Sequence, residues 1–542
     1  MLRSAGVVGF MTVLSKITGM LQSRLLAKYL GAGLAADAFM VAFRIPNLLR
    51  RFTAEGTMTA AFLPTLNEVE AGEGEAAGRD MVARFLGTLG LFLTLLCILC
   101  LPAMGLLTGL QMLGKLSPEA RWWQQFGVLW EVLAGTRAAP LQWVLTTSLA
   151  RIMFPYLILV SLTAGLSAVL NLRGRFGLPA SVSTFWNLAF IGFALACLHW
   201  GPAAWRAPER AAVILALATL VGGLVQMFVL WPAFRSLGFG IRWGLYLRHP
   251  GVRRALKRMA PGLMGTGIHP INVVISTILA SQLAVGAQTV LFNSNMMGEM
   301  ILGVFTASVA TVSLPAMSRL VEAGDARGLR ASLAGALRGT AVLVIPGAVG
   351  MAVLAGPIIA VIFQTGRYNA AAVEWTAHTL AFQAVGLLFI ATGRIAAQCL
   401  YALKDYRRPA YAALFGVLVN VAASIALMGP LGTAGIALAN GVASMAGLLF
   451  LASAMRRRMA LPYREVLGGW AAMALASALM GALAWSGARW LGLDTFRGLG
   501  PTSLRLFSLI ALCALFYAAL LFAFRVPEAR SLRDKVLRRL RR

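Results

Sequence analysis

Apolar runs long enough to cross a bilayer follow one another along nearly the whole chain, joined by short polar or basic links. A span needs about 20 apolar residues. That ruler predicts fourteen helices, near 4–27, 34–65, 84–111, 143–170, 180–200, 211–232, 259–284, 288–316, 333–363, 373–402, 410–428, 431–455, 466–488 and 503–524. Polar residues interrupt the second and the eighth. No hydrophilic block is large enough for a soluble domain. The predicted fold is all-α, a polytopic membrane protein with about fourteen transmembrane helices.

Composition sharpens that reading. Of 542 residues, 59% are hydrophobic and only 12% charged, where a soluble protein would carry about 25% charged residues. Mean hydropathy is +0.78. A net charge of +29 would point a soluble protein toward nucleic acid. In a membrane protein, basic residues collect in the cytoplasmic loops instead, so no nucleic-acid partner is expected. With the N-terminus placed inside, the inner loops and both ends hold 31 of the 48 Lys and Arg residues, the outer loops ten and the spans seven. That asymmetry predicts a multi-pass membrane protein with both termini cytoplasmic. The five cysteines lie in apolar stretches without metal-ligand spacing, so neither metal nor cofactor is expected. The opening MLRSAGVVGF has no small-residue cleavage site after a short apolar core and does not read as a removable signal peptide.

The chain also repeats itself. LPTLNEVEAGEGEAAGRD (from Leu63) ends the second span, and LPAMSRLVEAGDARGLR (from Leu314) ends the eighth. LNLRGRFGLPA (Leu170 to Ala180) leaves the fourth span, and LYALKDYRRPA (Leu400 to Ala410) leaves the tenth. Both pairs sit six helices apart, which predicts two six-helix lobes related by a pseudo-twofold axis along the membrane normal, 1–235 and 236–458. Two extra helices follow at 459–525, then a basic cytoplasmic tail at 526–542. Duplicated lobes around a central site are the plan of alternating-access transporters. Between Gln111 and Gln142, Trp122, Trp123, Trp130 and Trp143 predict an amphipathic interfacial helix at the outer headgroups, with a substrate lid as the alternative. The tail suits an anionic inner leaflet, so membrane lipids are expected partners.

Candidate chemistry concentrates in Met11 to Glu68, where Lys16, Arg24, Asp37, Arg44, Arg50, Arg51 and Glu55 interrupt apolar helices. Each ionisable group at membrane depth costs about 2.5–3.5 kcal/mol on insertion scales and so faces a partner or a wet cavity. Lys16 and Arg24 fall on the first span, and Arg44, Arg50 and Arg51 on the second, where Asp37 and Glu55 can partly neutralise them. For Arg51 and Glu55, a helix-locking ion pair is the simpler reading. For Arg24, Arg44 and Arg50 the surplus positive charge asks for an anionic guest. Phosphate fits, because guanidinium forks match its oxygens in bidentate fashion. Arg394 is the one cation within the tenth span. His269, beside Pro270 and followed by Asn272, marks either a broken helix lining a cavity or a hydrogen-bonded packing histidine. There is no Walker A, HExxH or G-x-S-x-G pattern, so a transporter rather than an enzyme is expected.

These residues resemble the MurJ/MviN family of lipid II flippases, within the multidrug/oligosaccharidyl-lipid/polysaccharide exporter superfamily. The likeness is carried by GAGLAADAFMVAFRIPNLLRRFTAEGTMTAAFLP (Gly31 to Pro64), FPYLILVSLTAGLSAVLNLRGRFGLPA, LGVFTASVATVSLPAMSRL and IFQTGRYNAAAVEWTA. It extends over nearly the whole chain. It implies fourteen helices in two six-helix lobes plus a C-terminal pair that offers a groove to a lipid tail. It also implies movement of an undecaprenyl-pyrophosphate-linked peptidoglycan precursor from the inner to the outer leaflet, with the pyrophosphate in a cationic cavity. Cell-wall synthesis enzymes are the further partners it suggests.

Carried over position by position, the resemblance matches Asp37, Arg44, Asn47, Arg50, Glu55, Glu299 and Arg394, with Lys16 in place of an arginine. Where the family has an Arg-Asp pair, this chain has Gln22 and Ser23, with Arg24 one residue beyond, about 100° further round the helix. In the eighth helix the family's tyrosine-alanine-aspartate-arginine run reads Asn293, Ser294, Asn295, Met296. A sodium site of some members uses acidic residues in the seventh and eleventh helices, which here offer His269, Asn272, Ser276, Asn420 and Ser424. The resemblance thus implies a substrate set of Lys16, Arg24, Asp37, Arg44, Asn47, Arg50, Glu299 and Arg394. Gln22, Ser23, His269 and Asn272 are further cavity positions. Glu299 and Asp37 would close the cavity by pairing with cations. The missing arginines motivate one alternative, a divergent paralogue moving another polyprenyl-linked glycan. The basic tail and inner loops motivate another, a transport-inactive scaffold for cell-wall enzymes.

Overall fold

The computed structural model describes residues 2–53, 57–117, 124–266, 268–303 and 307–528; side chains are described in these segments except at 2–6, 51–53, 57–61, 260–266, 268–270 and 307–312. Helices are the regular elements throughout the described residues, apart from an isolated bridge between Thr365 and Tyr368. The chain divides into two compact units, Met1–Thr289 with Thr365–Tyr368, and Val290–Gln364 with Asn369–Arg542.

The first unit runs α1 (Leu2–Leu30), α2 (Leu34–Thr53), α3 (Thr57–Glu73), α4 (Glu75–Gln111), α5 (Leu113–Leu116), α6 (Gln125–Leu133), α7 (Leu141–Met153), α8 (Tyr156–Leu172), α9 (Gly177–Trp200), α10 (Pro208–Ser236), α11 (Pro250–Thr266), α12 (Ile268–Ser281) and the first turn of α13 (Ala287–Ile301). The second continues with α14 (Ala307–Glu322), α15 (Ala326–Val353), α16 (Ala355–Phe363), α17 (Ala370–Ala402), α18 (Arg407–Leu431), α19 (Thr433–Arg456), α20 (Tyr463–Trp490) and α21 (Leu499–Ala523).

Among the described residues, ten helical segments are long and apolar enough to cross a membrane. They are the predicted third to sixth and ninth to fourteenth spans. The first, second, seventh and eighth fall outside that set. The second is described as α2 and α3, the seventh as α11 and α12, and the eighth as α13 and α14. The fourth bends where Pro155 has no N–H to donate, and the chain tightens there, Leu157 N–H reaching Phe154 O at 3.0 Å. The ninth likewise divides into α15 and α16, with Pro357 in the first turn of the second piece.

The repeated links fold alike. Val169, Asn171 and Leu170 carbonyls accept from Arg173, Gly174 and Arg175, while Cys399, Tyr401 and Leu400 accept from Leu403, Lys404 and Asp405. This is the doubled capping of a Schellman turn. It needs a left-handed residue, supplied by Gly174 at φ 75° and by Lys404 at φ 59°. A non-glycine residue there costs about 1–2 kcal/mol, so the second copy keeps the turn despite its sequence.

Burial follows from lipid as solvent. Leu418, Leu449, Leu504 and Leu515 remain exposed, as outward residues of a membrane-spanning helix should. Within the first unit, Phe39, Phe43, Tyr156, Trp186 and Phe190 form a run of rings, with Phe43 and Trp186 centroids 6.3 Å apart. That aromatic wall seats α2 against α8 and α9. In the second unit α20 and α21 pack on α15 through Met473, Met480, Leu509 and Ile345, and Tyr517 OH donates to Val342 O at 3.0 Å.

The link from α10 to α11 crosses α4 as an extended strap. Arg242 N–H donates to Ala83 O at 2.9 Å and Tyr246 N–H to Thr88 Oγ1 at 3.1 Å. Gly87 makes the approach possible, since a Cβ there would lie 1.6 Å from Arg242 O. Gly87→Ala is expected to push the strap off α4 and destabilise the protein by about 1–3 kcal/mol, the cost of overpacking. Thermal unfolding in detergent checks it, and an unchanged melting temperature would contradict the strap's placement. Beyond the strap, Arg254 and Arg258 of α11 pair with Glu68 of α3 at 3.5 and 2.8 Å. The bond from Arg258 holds the Glu68 carboxyl below its ordinary range.

The segment between Gln111 and Gln142 forms the two short helices α5 and α6 among the described residues. Val128, Leu129 and Val132 of α6 are buried against Leu113 and Leu116, while Phe126 and Trp130 are exposed. Trp143 Nε1 donates to Gly105 O at 3.0 Å. One face of α6 is packed on protein and the other is exposed, and Trp122 and Trp123 lie outside the described residues. Most of the basic tail, 529–542, does too.

Candidate functional site

The expected cations sit on two helices joined by a tight corner at Gly31–Gly33. On α1, Lys16 is exposed, Gln22 and Ser23 are half-buried, and so is Arg24. Ser23 Oγ donates to Gly19 O at 3.0 Å. On α2, Arg44 is buried, only 7% exposed, and Arg50 is half-buried with its Nε donating to Asn47 Oδ1 at 3.1 Å. A guanidinium withdrawn from water to this extent must find compensating acceptors, because desolvating one ion costs several kcal/mol. Pro46 lies within α2 between the two arginines.

Asp37 has partners that differ from the expected arginines. It is fully buried, and its carboxylate accepts from Gly286 N–H at 2.7 Å, Thr289 N–H at 2.8 Å and Thr289 Oγ1 at 2.6 Å. These are donors of the first turn of α13, which have no partner within their own helix. A carboxylate at a helix N-terminus satisfies them and suits the positive end of the dipole. The physical reason is local: Gly286, at the capping position, has no side chain to close the helix itself.

The same corner is tied from α4 and α5. Lys115 Nζ donates to Leu283 O, and Gly114 N–H donates to Ser281 Oγ at 3.1 Å. Gln288 Nε2 donates to Gln111 O and Thr277 O, both at 3.1 Å. Burial pushes the Lys115 ammonium down from its ordinary range, and the Asp37 charge opposes that shift. Arg367 N–H, in the short turn that completes this unit, donates to Lys28 O at 3.1 Å. Together these contacts close the α1–α2 corner, the end of α4 and the α12–α13 turn into one latch.

The second unit holds the other pair. Arg394 Nη2 of α17 lies 3.2 Å from Glu299 Oε1 of α13, both side chains well exposed at 41% and 52%. An ion pair this wet contributes little to stability and is easily exchanged for another anion. One turn earlier, Gln383 Nε2 donates to Asn295 Oδ1 at 2.7 Å and Gln383 Oε1 accepts from Ser294 Oγ at 3.0 Å. The residues standing where the family has alanine and aspartate therefore form a neutral network with α17.

Asn272 is half-buried on α12. His269 falls among the residues whose side chains are not described, and Glu55 lies outside the described residues, so the expected Arg51–Glu55 pair does too. Sequence reasoning missed Lys115, Gln288 and Thr289. The signal available for them was the helix start Gly286–Ala287, which lacks a capping side chain and so demands an acceptor from elsewhere.

Comparison with known proteins bears on this arrangement. The family model described as lipid II flippase MurJ matches residues 26–498. Lipid II flippase MurJ of Burkholderia cenocepacia is 31% identical over 458 residues, 83% of this chain and 83% of its own. A probable lipid II flippase MurJ of Vibrio cholerae serotype O1 is 30% identical over 532 residues, 96% of this chain and 95% of its own. Among solved structures, lipid II flippase MurJ in an inward closed conformation has a TM-score of 0.71 at 21% identity, covering 95% of this chain and 99% of that one. An inward-facing multidrug resistance MATE family transporter of the MOP superfamily has a TM-score of 0.62 at 13% identity, covering 82% and 98%. At those identities the structural likenesses establish the fold. The chain belongs to the lipid II flippase MurJ family, and is a multi-pass protein of the bacterial inner membrane.

Proposed function

We propose that this protein is a lipid II flippase, carrying the undecaprenyl-pyrophosphate-linked peptidoglycan precursor from the inner to the outer leaflet by alternating access. The observation that carries the reading is a family match over residues 26–498 that contains the whole α2 arginine set. The geometry agrees with the chemistry. Asp37 is committed to the α13 N-terminus, and Arg44 and Arg50 lie about two and four turns further along the same helix. Lys16, Arg24, Arg44 and Arg50 hold the pyrophosphate, whose oxygens suit guanidinium forks, with Asn47 orienting Arg50. Gln22, Ser23, His269 and Asn272 supply neutral polar positions around the head group. The Glu299–Arg394 pair opens to admit the anion and re-forms when it leaves. Asp37 acts as the pin of the outer latch.

In this reading both termini are cytoplasmic, as the 31 to 10 division of Lys and Arg indicates. Residues 1–235 and 236–458 act as the two lobes, and 459–525 offers the lipid tail its groove. Complementation of a strain depleted of its own lipid II flippase tests the proposal. Rescue of growth supports it. Failure with verified membrane expression sinks it in favour of the paralogue for another polyprenyl-linked glycan. Retained rescue after deletion of 526–542 would count against the scaffold reading.

A further inference from the structure

We infer that the strap 239–249 and the start of α11 form a binding surface for anionic phospholipid of the inner leaflet, separate from the transport path. In the extended strap, side chains alternate. Tyr246 turns inward, with the Arg84 guanidinium 5.1 Å from its ring centroid. Trp243, Leu245 and Leu247 turn outward and are 58%, 52% and 53% exposed. They form an apolar ridge beside the beginning of the apolar part of α4. The Trp243 ring rests over Gly90, where a Cβ would lie 2.7 Å from it. A tryptophan with one face on protein and the other outward, next to charge, is the signature of the membrane–water interface.

The cations beside this ridge outnumber the acids. Arg242 is paired with Asp80 at 2.6 Å, and Arg254 and Arg258 share Glu68. Arg248, Arg253 and Lys257 are exposed and have no acidic partner among the described residues. Arg248 follows the exposed apolar ridge directly in the chain, and Arg253 and Lys257 lie in the first turns of α11, which begins where the strap ends. Such a combination suits phosphate-bearing headgroups whose acyl chains cover the ridge. Under the orientation proposed above, the surface lies at the inner leaflet, where anionic lipids are drawn to basic segments. Nothing in this surface depends on which glycan is carried.

The test uses the full-length protein in mixed micelles with brominated phosphatidylglycerol or brominated phosphatidylcholine. Subtracting the quenching measured for Trp243→Phe isolates the Trp243 signal. The expected result is quenching by both lipids, with preferential association of phosphatidylglycerol. In the variant Arg248→Gln/Arg253→Gln/Lys257→Gln that preference should fall by about five-fold for each charge removed. Arg248→Lys/Arg253→Lys keeps the charges and should retain the preference, which separates lost binding from lost folding. A Trp243 that neither lipid quenches, or a preference for phosphatidylglycerol that is the same in parent and triple variant, overturns the inference.

Discussion

Replacing Asp37 with alanine is expected to abolish growth rescue and to lower the melting temperature sharply. The carboxylate satisfies two backbone N–H groups at the start of α13 and one threonine hydroxyl, all buried. Each orphaned backbone donor costs about 1–3 kcal/mol, so the two together cost about 2–6 kcal/mol. The neighbouring Lys115 also loses the charge it faces. Asp37→Asn should be intermediate, because an amide oxygen still serves one donor while its NH2 opposes the other. Asp37→Glu should not restore the latch, since the longer side chain cannot reach the same donors without displacing α2 or α13. Thermal unfolding in detergent, read beside complementation, decides the matter. Wild-type melting and full rescue by Asp37→Ala would remove the latch from the account.

Arg50→Ala should behave in the opposite way, losing transport while keeping the fold. Arg50 is half-buried, and its Nε donates to Asn47 Oδ1 on the same helix at 3.1 Å. What it loses is a charged donor fork for phosphate. A hydrogen bond to a charged group contributes about 1.5–3 kcal/mol, which predicts roughly 10- to 100-fold weaker binding of the pyrophosphate head. Arg50→Lys should recover part of this, because a point charge remains without the planar fork. Binding of lipid II to the purified variants checks the prediction. Affinity unchanged in Arg50→Ala would place the pyrophosphate elsewhere.

Much of the architecture was legible because lipid leaves helices few alternatives. A membrane-spanning backbone must satisfy its own hydrogen bonds, so apolar length alone located ten spans that the structure describes as long apolar helices. The turns after α8 and α17 were visible as a repeat, and they fold with the same bonds although Gly174 became Lys404. The first, second, seventh and eighth spans fall outside those ten among the described residues, and polar residues interrupt the apolar runs of the second and the eighth.

The site was legible by residue type and not by partner. Membrane depth identified Asp37 as costly and therefore engaged, but periodicity along α2 suggested only the arginines on its own helix. Its partners, Gly286 and Thr289, lie about 250 residues away in sequence, and two of the three donors are backbone N–H groups, which leave no chemical trace in a list of side chains. The strap on α4 was hidden for a similar reason. With the start of α11 it looked like a basic loop obeying the positive-inside rule, whereas its position depends on the absence of a side chain at Gly87.

The central claim is translocation of lipid II itself, and it can be measured without a cell. The purified protein would be reconstituted into proteoliposomes carrying labelled lipid II in both leaflets, and the fraction accessible to an external modifying enzyme followed with time. The account predicts that accessibility rises beyond the outer-leaflet fraction toward completion with the wild-type protein, and stays at that fraction with Arg50→Ala. Accessibility that remains at the protein-free level with correctly folded wild-type protein would contradict it.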